Sequence, residues 1–190
     1  MSRPDRKEFL NKTTFGFIPA GTANGLIKSI SDQNNENFGI LEASFFVAKG
    51  TRKMMDLTEL TLEYLQNEEQ KKIYMFLSMA WAFVADCDIN SEVIRCIGES
   101  RFTIWGVYRL LALRDYKAKV MIKGQAVKSN KETDLFSQEM YTNHYLDDNF
   151  KHLVVLNTPW IGSYMNYAPM SKLDDGTNDI VYMTMDKSRY

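Results

Sequence analysis

Hydrophobic and polar positions along this chain of 190 residues follow two periods, one of helices and one of strands. Phe15-Gly-Phe-Ile18 reads as a short buried strand, and Pro19-Ala-Gly-Thr-Ala-Asn-Gly25 as the turn after it. Leu26 to Ile30 then opens a helix. Phe38, Leu41 and Phe45 share one helical face in residues 38–49, and Gly50 supplies the stop. Residues 55–63 and 72–85 read as strands joined by the polar turn Gln66-Asn-Glu-Glu-Gln70. Asn90 or Ser91 can cap a helix with Glu92 in its first turn and Gly98 near its end. A second helix follows over residues 102–113.

Further on, Tyr116, Ala118, Val120 and Ile122 alternate with Lys117, Lys119, Met121 and Lys123, the pattern of a half-exposed strand. Residues 124–149 are polar and predict a long loop or insertion. Leu153-Val-Val-Leu156 and Ile180-Val-Tyr-Met183 close the series as strands. The fold class expected is α/β plus mainly-β. A small α/β piece covers residues 1–50, and a β-rich domain carrying helices covers residues 51–190.

Composition narrows the setting. A chain with 45% hydrophobic and 13% aromatic residues can build a core, and 25% charged residues is too few for disorder. A net charge of -1 gives no electrostatic reason to expect nucleic acid. Two cysteines, Cys87 and Cys96, argue for a reducing compartment without a disulfide framework. Neither a signal peptide nor an apolar run long enough for a membrane span is present, so a cytoplasmic protein is expected, with peripheral membrane contact open to it.

Candidate chemistry concentrates in residues 86–101, Asp-Cys-Asp-Ile-Asn-Ser-Glu-Val-Ile-Arg-Cys-Ile-Gly-Glu-Ser-Arg. This charged run lies between two apolar stretches, where unpaired charge is costly to bury. A ligand with a cation at one end, a polyanion at the other and apolar bulk between would account for it. Asp86 or Asp88 suits an ammonium or a hydroxyl. Arg95 and Arg101 suit phosphate, because the guanidinium donates bidentately and keeps its charge. Gly98 can break the helix between the two arginines and let them converge. The bland alternative is a solvated helix with weak surface ion pairs.

Pro19-Ala-Gly-Thr-Ala-Asn24 is a turn between a strand and a helix, either an ordinary capped turn or a loop whose backbone N–H groups approach an anion. Thr22 and Asn24 could add side-chain donors or act as caps. Residues 102–113 are apolar on nearly all sides, which favours core packing over a lipid-facing edge holding Trp105 and Tyr108. No His/Cys cluster has metal-ligand spacing, so no metal site is expected from the protein's own side chains. Ser163 lacks a Gly-x-Ser-x-Gly elbow, and Asp174-Asp175-Gly176 most simply makes a turn before the last strand.

Together these segments resemble the sphingosine kinases, within the diacylglycerol-kinase-like lipid kinases. The resemblance runs through Ile18-Pro-Ala-Gly-Thr-Ala-Asn-Gly25, Met55-Asp-Leu57 and Phe76-Leu-Ser-Met-Ala-Trp-Ala-Phe-Val-Ala-Asp-Cys-Asp88. It continues through Gly98-Glu-Ser-Arg-Phe-Thr103, Arg109-Leu-Leu-Ala-Leu-Arg114 and Asp174-Asp175-Gly176. The block at 76–114 is highly specific, whereas the Gly-Thr-Ala-Asn loop is shared more broadly.

The resemblance implies ATP-dependent phosphorylation of a sphingoid base, with ATP and Mg²⁺ in a cleft between a nucleotide-binding domain and a lipid domain. Asp88 would hold the amino-alcohol head and Phe102 would line the lipid pocket. Arg95 and Arg101 would take the ATP phosphates, and Gly21 with Thr22 would form part of the nucleotide loop. The family's Gly-Gly-Asp-Gly segment, whose aspartate is the base, has no match here, and neither does its late Asp-Gly-Glu strand. The chain therefore reads as truncated at both ends, with its catalytic residue unknown. A non-catalytic lipid-binding piece and a diacylglycerol-type kinase are the alternatives.

Overall fold

The computed structural model describes residues 8–9, 12–63, 70–98, 100–129 and 136–184, with the backbone alone at 125–129 and 136–143. The chain divides into two units. One holds residues 1–79 and 154–181, the other residues 80–153 and 182–190.

In the first unit, helix α1 (Gly25–Gln33) turns Leu26, Ile27, Ser29 and Ser31 inward. The Ser29 hydroxyl donates to the Gly25 carbonyl at 2.9 Å and accepts the Trp160 N–H at 3.2 Å, so a buried polar group is satisfied twice. Helix α2 (Ile40–Lys49) stops where expected. Gly50 adopts a left-handed φ of 69°, and its N–H reaches the Phe46 carbonyl at 3.1 Å. Of this helix only Ala43 is buried, while Ile40, Leu41, Phe45 and Val47 are exposed. Strands β1 (Thr58–Glu63) and β2 (Gln70–Met75) pair antiparallel with Thr58 opposite Met75. Residues 66–69 of the expected turn lie outside the described residues.

The second unit is built on a sheet in the order β3 (Ser78–Ala82), β5 (Phe136–Leu156), β4 (Tyr116–Ser129), with β8 (Asp179–Thr184) also paired to β5. Phe150 is fully buried, and its ring packs with Trp81 at 6.0 Å and Tyr182 at 6.2 Å. Helix α3 (Phe83–Asn90), a 3₁₀ helix (Ser91–Ile97) and α4 (Ser100–Leu111) link β3 to β4. Two short strands of the first unit, β6 (Trp160–Gly162) and β7 (Met165–Asn166), form a separate pair.

Several expectations are corrected. Residues 15–18 form no strand. The strand expected over 72–85 is two strands and the start of a helix. The switch falls at Ala82, whose φ of 64° and ψ of -126° end the extended run. No side chain caps a helix at Asn90 or Ser91; instead α3 tightens there into the 3₁₀ helix. The described residues of the polar stretch 124–149 are strand, and residues 130–135 of the expected loop lie outside them. Cross-strand pairing with β4 holds β5, as where Lys119 faces Asp147 with Nζ–Oδ2 at 3.6 Å. Helix α4 is not core. Ile104, Val107, Leu110 and Leu111 are exposed, and the buried residue of the helix is Arg109. The alternation over 116–123 holds, the four lysine-or-methionine positions exposed and their neighbours half-buried.

Candidate functional site

Gly98 sets the geometry of the charged segment. Its φ of 67° is open to glycine without strain, and it separates the 3₁₀ helix from α4. The break places Arg95 at the end of one element and Arg101 in the first turn of the next. Both reach one carboxylate. Arg101 Nη1 donates to Glu92 Oε1, and Arg95 Nη1 lies 3.5 Å from Glu92 Oε2. The hydrogen bond from Arg101 is the main reason the Glu92 carboxyl is held below its ordinary pKa.

The two arginines differ in freedom. The Arg101 side chain is 12% exposed, with its guanidinium 4.5 Å from the Phe102 ring centroid, whereas the Arg95 side chain is 80% exposed. Phe102 is half-buried beneath that guanidinium. Asp88 is exposed in the last turn of α3, and its backbone carbonyl accepts the Ser91 hydroxyl at 3.2 Å.

Asp86, two residues earlier, is directed differently. Its Oδ2 accepts from Arg109 Nη2 and from the Tyr116 hydroxyl. Arg109 Nη1 donates in turn to the Ala112 carbonyl at 2.9 Å. The hydrogen bond to Asp86, then burial, raises the Tyr116 phenol above its ordinary pKa. Burial likewise raises the thiol of Cys87 between the two aspartates. Of the two aspartates in this segment, Asp86 serves the fold and Asp88 faces solvent. Sequence reasoning passed over Arg109. The signal in the sequence is a lone arginine within the apolar run 102–113.

In the other unit, the loop before α1 closes on itself. Gly21 N–H donates to Asn24 Oδ1 at 3.1 Å, and Asn24 Nδ2 donates back to the Gly21 carbonyl. Asn24 stands at the N-cap position of α1 but makes no side-chain cap hydrogen bond there. It holds a left-handed φ of 50° and forms an isolated bridge to Gly162, while the Ala23 carbonyl accepts the Ser163 N–H at 2.6 Å. Gly21 and Thr22 are exposed on the rim of this loop. Asp175 makes the expected turn by accepting the Thr177 N–H at 3.0 Å, with Gly176 at φ 72°.

The site residues thus fall into two groups in different units, Gly21 with Thr22, and Asp88 with Arg95, Arg101 and Phe102. Among the described residues no three His, Cys, Asp or Glu side chains gather to hold a metal ion. No helix among them is long and apolar enough to cross a membrane.

No family model matches the chain. Curated relatives do. Sphingosine kinase 1 of Arabidopsis thaliana is 25% identical over 204 residues, which cover 96% of this chain and 41% of that protein. Sphingosine kinase 1 of Homo sapiens is 26% identical over 212 residues, covering 100% of this chain and 53% of that protein. Sphingoid long chain base kinase 5 of Saccharomyces cerevisiae is 28% identical over 149 residues, covering 78% of this chain and 20% of its own length. The chain spans about half or less of the length of these relatives.

Proposed function

Starting from a chain that is related in sequence to the sphingosine kinases, we propose that it takes part in the ATP-dependent phosphorylation of a sphingoid long-chain base. In this reading Asp88 receives the ammonium of the base, and Phe102 borders the pocket beside the head group. Arg95 and Arg101 neutralise phosphate, and the loop at Gly21 and Thr22 contributes backbone donors to the nucleotide. Residues 1–50 belong to the nucleotide side and residues 51–190 to the lipid side.

The observation that carries the reading is the convergence of Arg95 and Arg101 on one carboxylate across the Gly98 break. Two guanidiniums that share one anion have the geometry a phosphate needs. Phosphoryl transfer asks little covalent chemistry of a protein beyond positioning and charge neutralisation, which arginines and an oriented head group supply. ATP, when bound, supplies the transferable phosphoryl group.

The test incubates the protein with labelled ATP, Mg²⁺ and micellar sphingosine or diacylglycerol, and measures sphingosine binding in parallel by tryptophan fluorescence. Sphingosine binding that Asp88→Asn abolishes is the expected result, with label transferred to sphingosine alone once a Gly-Gly-Asp-Gly segment is supplied ahead of residue 1. Transfer to diacylglycerol without sphingosine overturns the substrate.

A second reading, lipid binding without catalysis, is favoured by the exposed apolar residues of α4. Flotation with anionic liposomes separates it. In this reading wild type floats without transferring phosphate and Trp105→Ala floats less, and protein that stays at the bottom of the gradient rules it out.

A further inference from the structure

Glu92 occupies the place between Arg95 and Arg101 that the phosphate reading needs for its ligand. Its two carboxylate oxygens are divided between the guanidiniums, Oε1 toward Arg101 and Oε2 toward Arg95. With Glu92 in place the three side chains sum to one positive charge; without it they would present two. The carboxylate is tethered one turn from Arg95, so its effective concentration at the arginines is high. A ligand carrying little charge competes with it poorly.

We propose that Glu92 masks this anion site, and that a ligand gains the site by displacing the Glu92 carboxylate, which selects polyphosphates over single phosphates. The inference rests on the reading of Arg95 and Arg101 as phosphate-binding groups. The difference between the two arginines gives the exchange an order. Arg95 is exposed and holds Glu92 at 3.5 Å, so it is free to swing out and meet the ligand first. Arg101 is held against Phe102, so it keeps its orientation while the anion beside it changes. The exchange breaks no covalent bond; one oxyanion replaces another on the same N–H donors.

The test uses the whole chain and two probes, tripolyphosphate and inorganic phosphate, titrated by calorimetry and followed through the arginine Nε–H resonances. Wild type is expected to prefer tripolyphosphate. In Glu92→Gln, nearly isosteric and on a half-exposed side chain, inorganic phosphate should bind roughly fivefold tighter, the worth of about one unit charge a few ångströms away in water. Glu92→Asp, which keeps the charge but shortens the reach, should fall between. Adding Arg101→Ala to Glu92→Gln should erase the gain. Equal phosphate affinity in wild type and Glu92→Gln overturns the masking role and leaves the arginine site standing. Weaker binding in Glu92→Gln also overturns it, because Glu92 would then be positioning the arginines. Binding of neither probe to either protein overturns the arginine site together with the mask.

Discussion

Arg109 of α4 and Asp86 of α3 form a buried ion pair, the arginine 4% exposed and joined to the carboxylate through Nη2. Tyr116 of β4 donates to the same carboxylate oxygen, so one aspartate ties two helices and a strand together. Removing one member of such a pair strands the other charge out of water, which costs about 3–5 kcal/mol. Asp86→Ala and Arg109→Met should each lower the urea midpoint sharply, Asp86→Ala more. The double variant should recover a large part of the loss. Additive losses in the double-mutant cycle would show that the two charges are not coupled.

Gly25 opens α1 against β6. A Cβ placed there would lie 2.6 Å from the Ile161 carbonyl carbon and 2.7 Å from the Trp160 oxygen, both backbone atoms that cannot swing aside. Gly25→Ala should therefore destabilise the chain by about 1–3 kcal/mol, although alanine is the better helix former. Gly106, inside α4 with nothing within 4 Å of its Cβ position, is the control. Gly106→Ala should leave stability unchanged or raise it by up to about 1 kcal/mol. Thermal unfolding of the two variants side by side decides the matter, and equal midpoints would remove the steric reading of Gly25.

Local periodicity made part of this fold legible. The stop at Gly50 and the alternation from Tyr116 to Lys123 follow from neighbours in sequence, and both are found. The switch at Ala82 was hidden because an alanine, not a glycine, takes the positive φ and the apolar run continues into α3. Much of β5 is polar, so its strand character comes from pairing with β4, which no single-segment pattern records. At the site, charge and family resemblance brought out Asp88, Arg95 and Arg101. For Glu92 the sequence suggests no ligand-site role beside that of a favourable first-turn acid. Its contact with Arg101 spans nine residues and depends on the break at Gly98. Arg109 was missed because its helix reads as apolar, and its partner lies 23 residues away.

His152 lies buried in β5, and burial lowers its pKa below the usual value. The folded chain keeps this imidazole neutral where the unfolded chain, titrating near about 6.5, has begun to take a proton. Its contribution is therefore intact above that pH and is lost as the pH falls toward the folded value. Burial raises Asp179, which works in the opposite direction, so the comparison has to isolate the histidine. Urea midpoints at pH 7.5 and 5.5 should fall further for wild type than for His152→Gln. An equal fall in both would assign the acid sensitivity elsewhere.

Ala82 ends β3 with φ 64° and ψ -126°, a conformation that glycine adopts freely and that a Cβ opposes. The residue is 2% exposed and sits where the strand turns into α3, four residues before Asp86. Strain of this kind costs on the order of 1–3 kcal/mol. Replacing Ala82 by glycine relieves it but enlarges the entropy of the unfolded chain, a loss of about 0.4–1 kcal/mol. Glycine also removes a buried methyl group worth about 0.8 kcal/mol, so Ala82→Gly should leave stability unchanged or raise it by up to roughly 1 kcal/mol. Ala82→Val adds bulk to the same backbone and should destabilise. If chemical denaturation finds Ala82→Gly less stable than wild type, the backbone at this elbow does not carry the strain assigned to it.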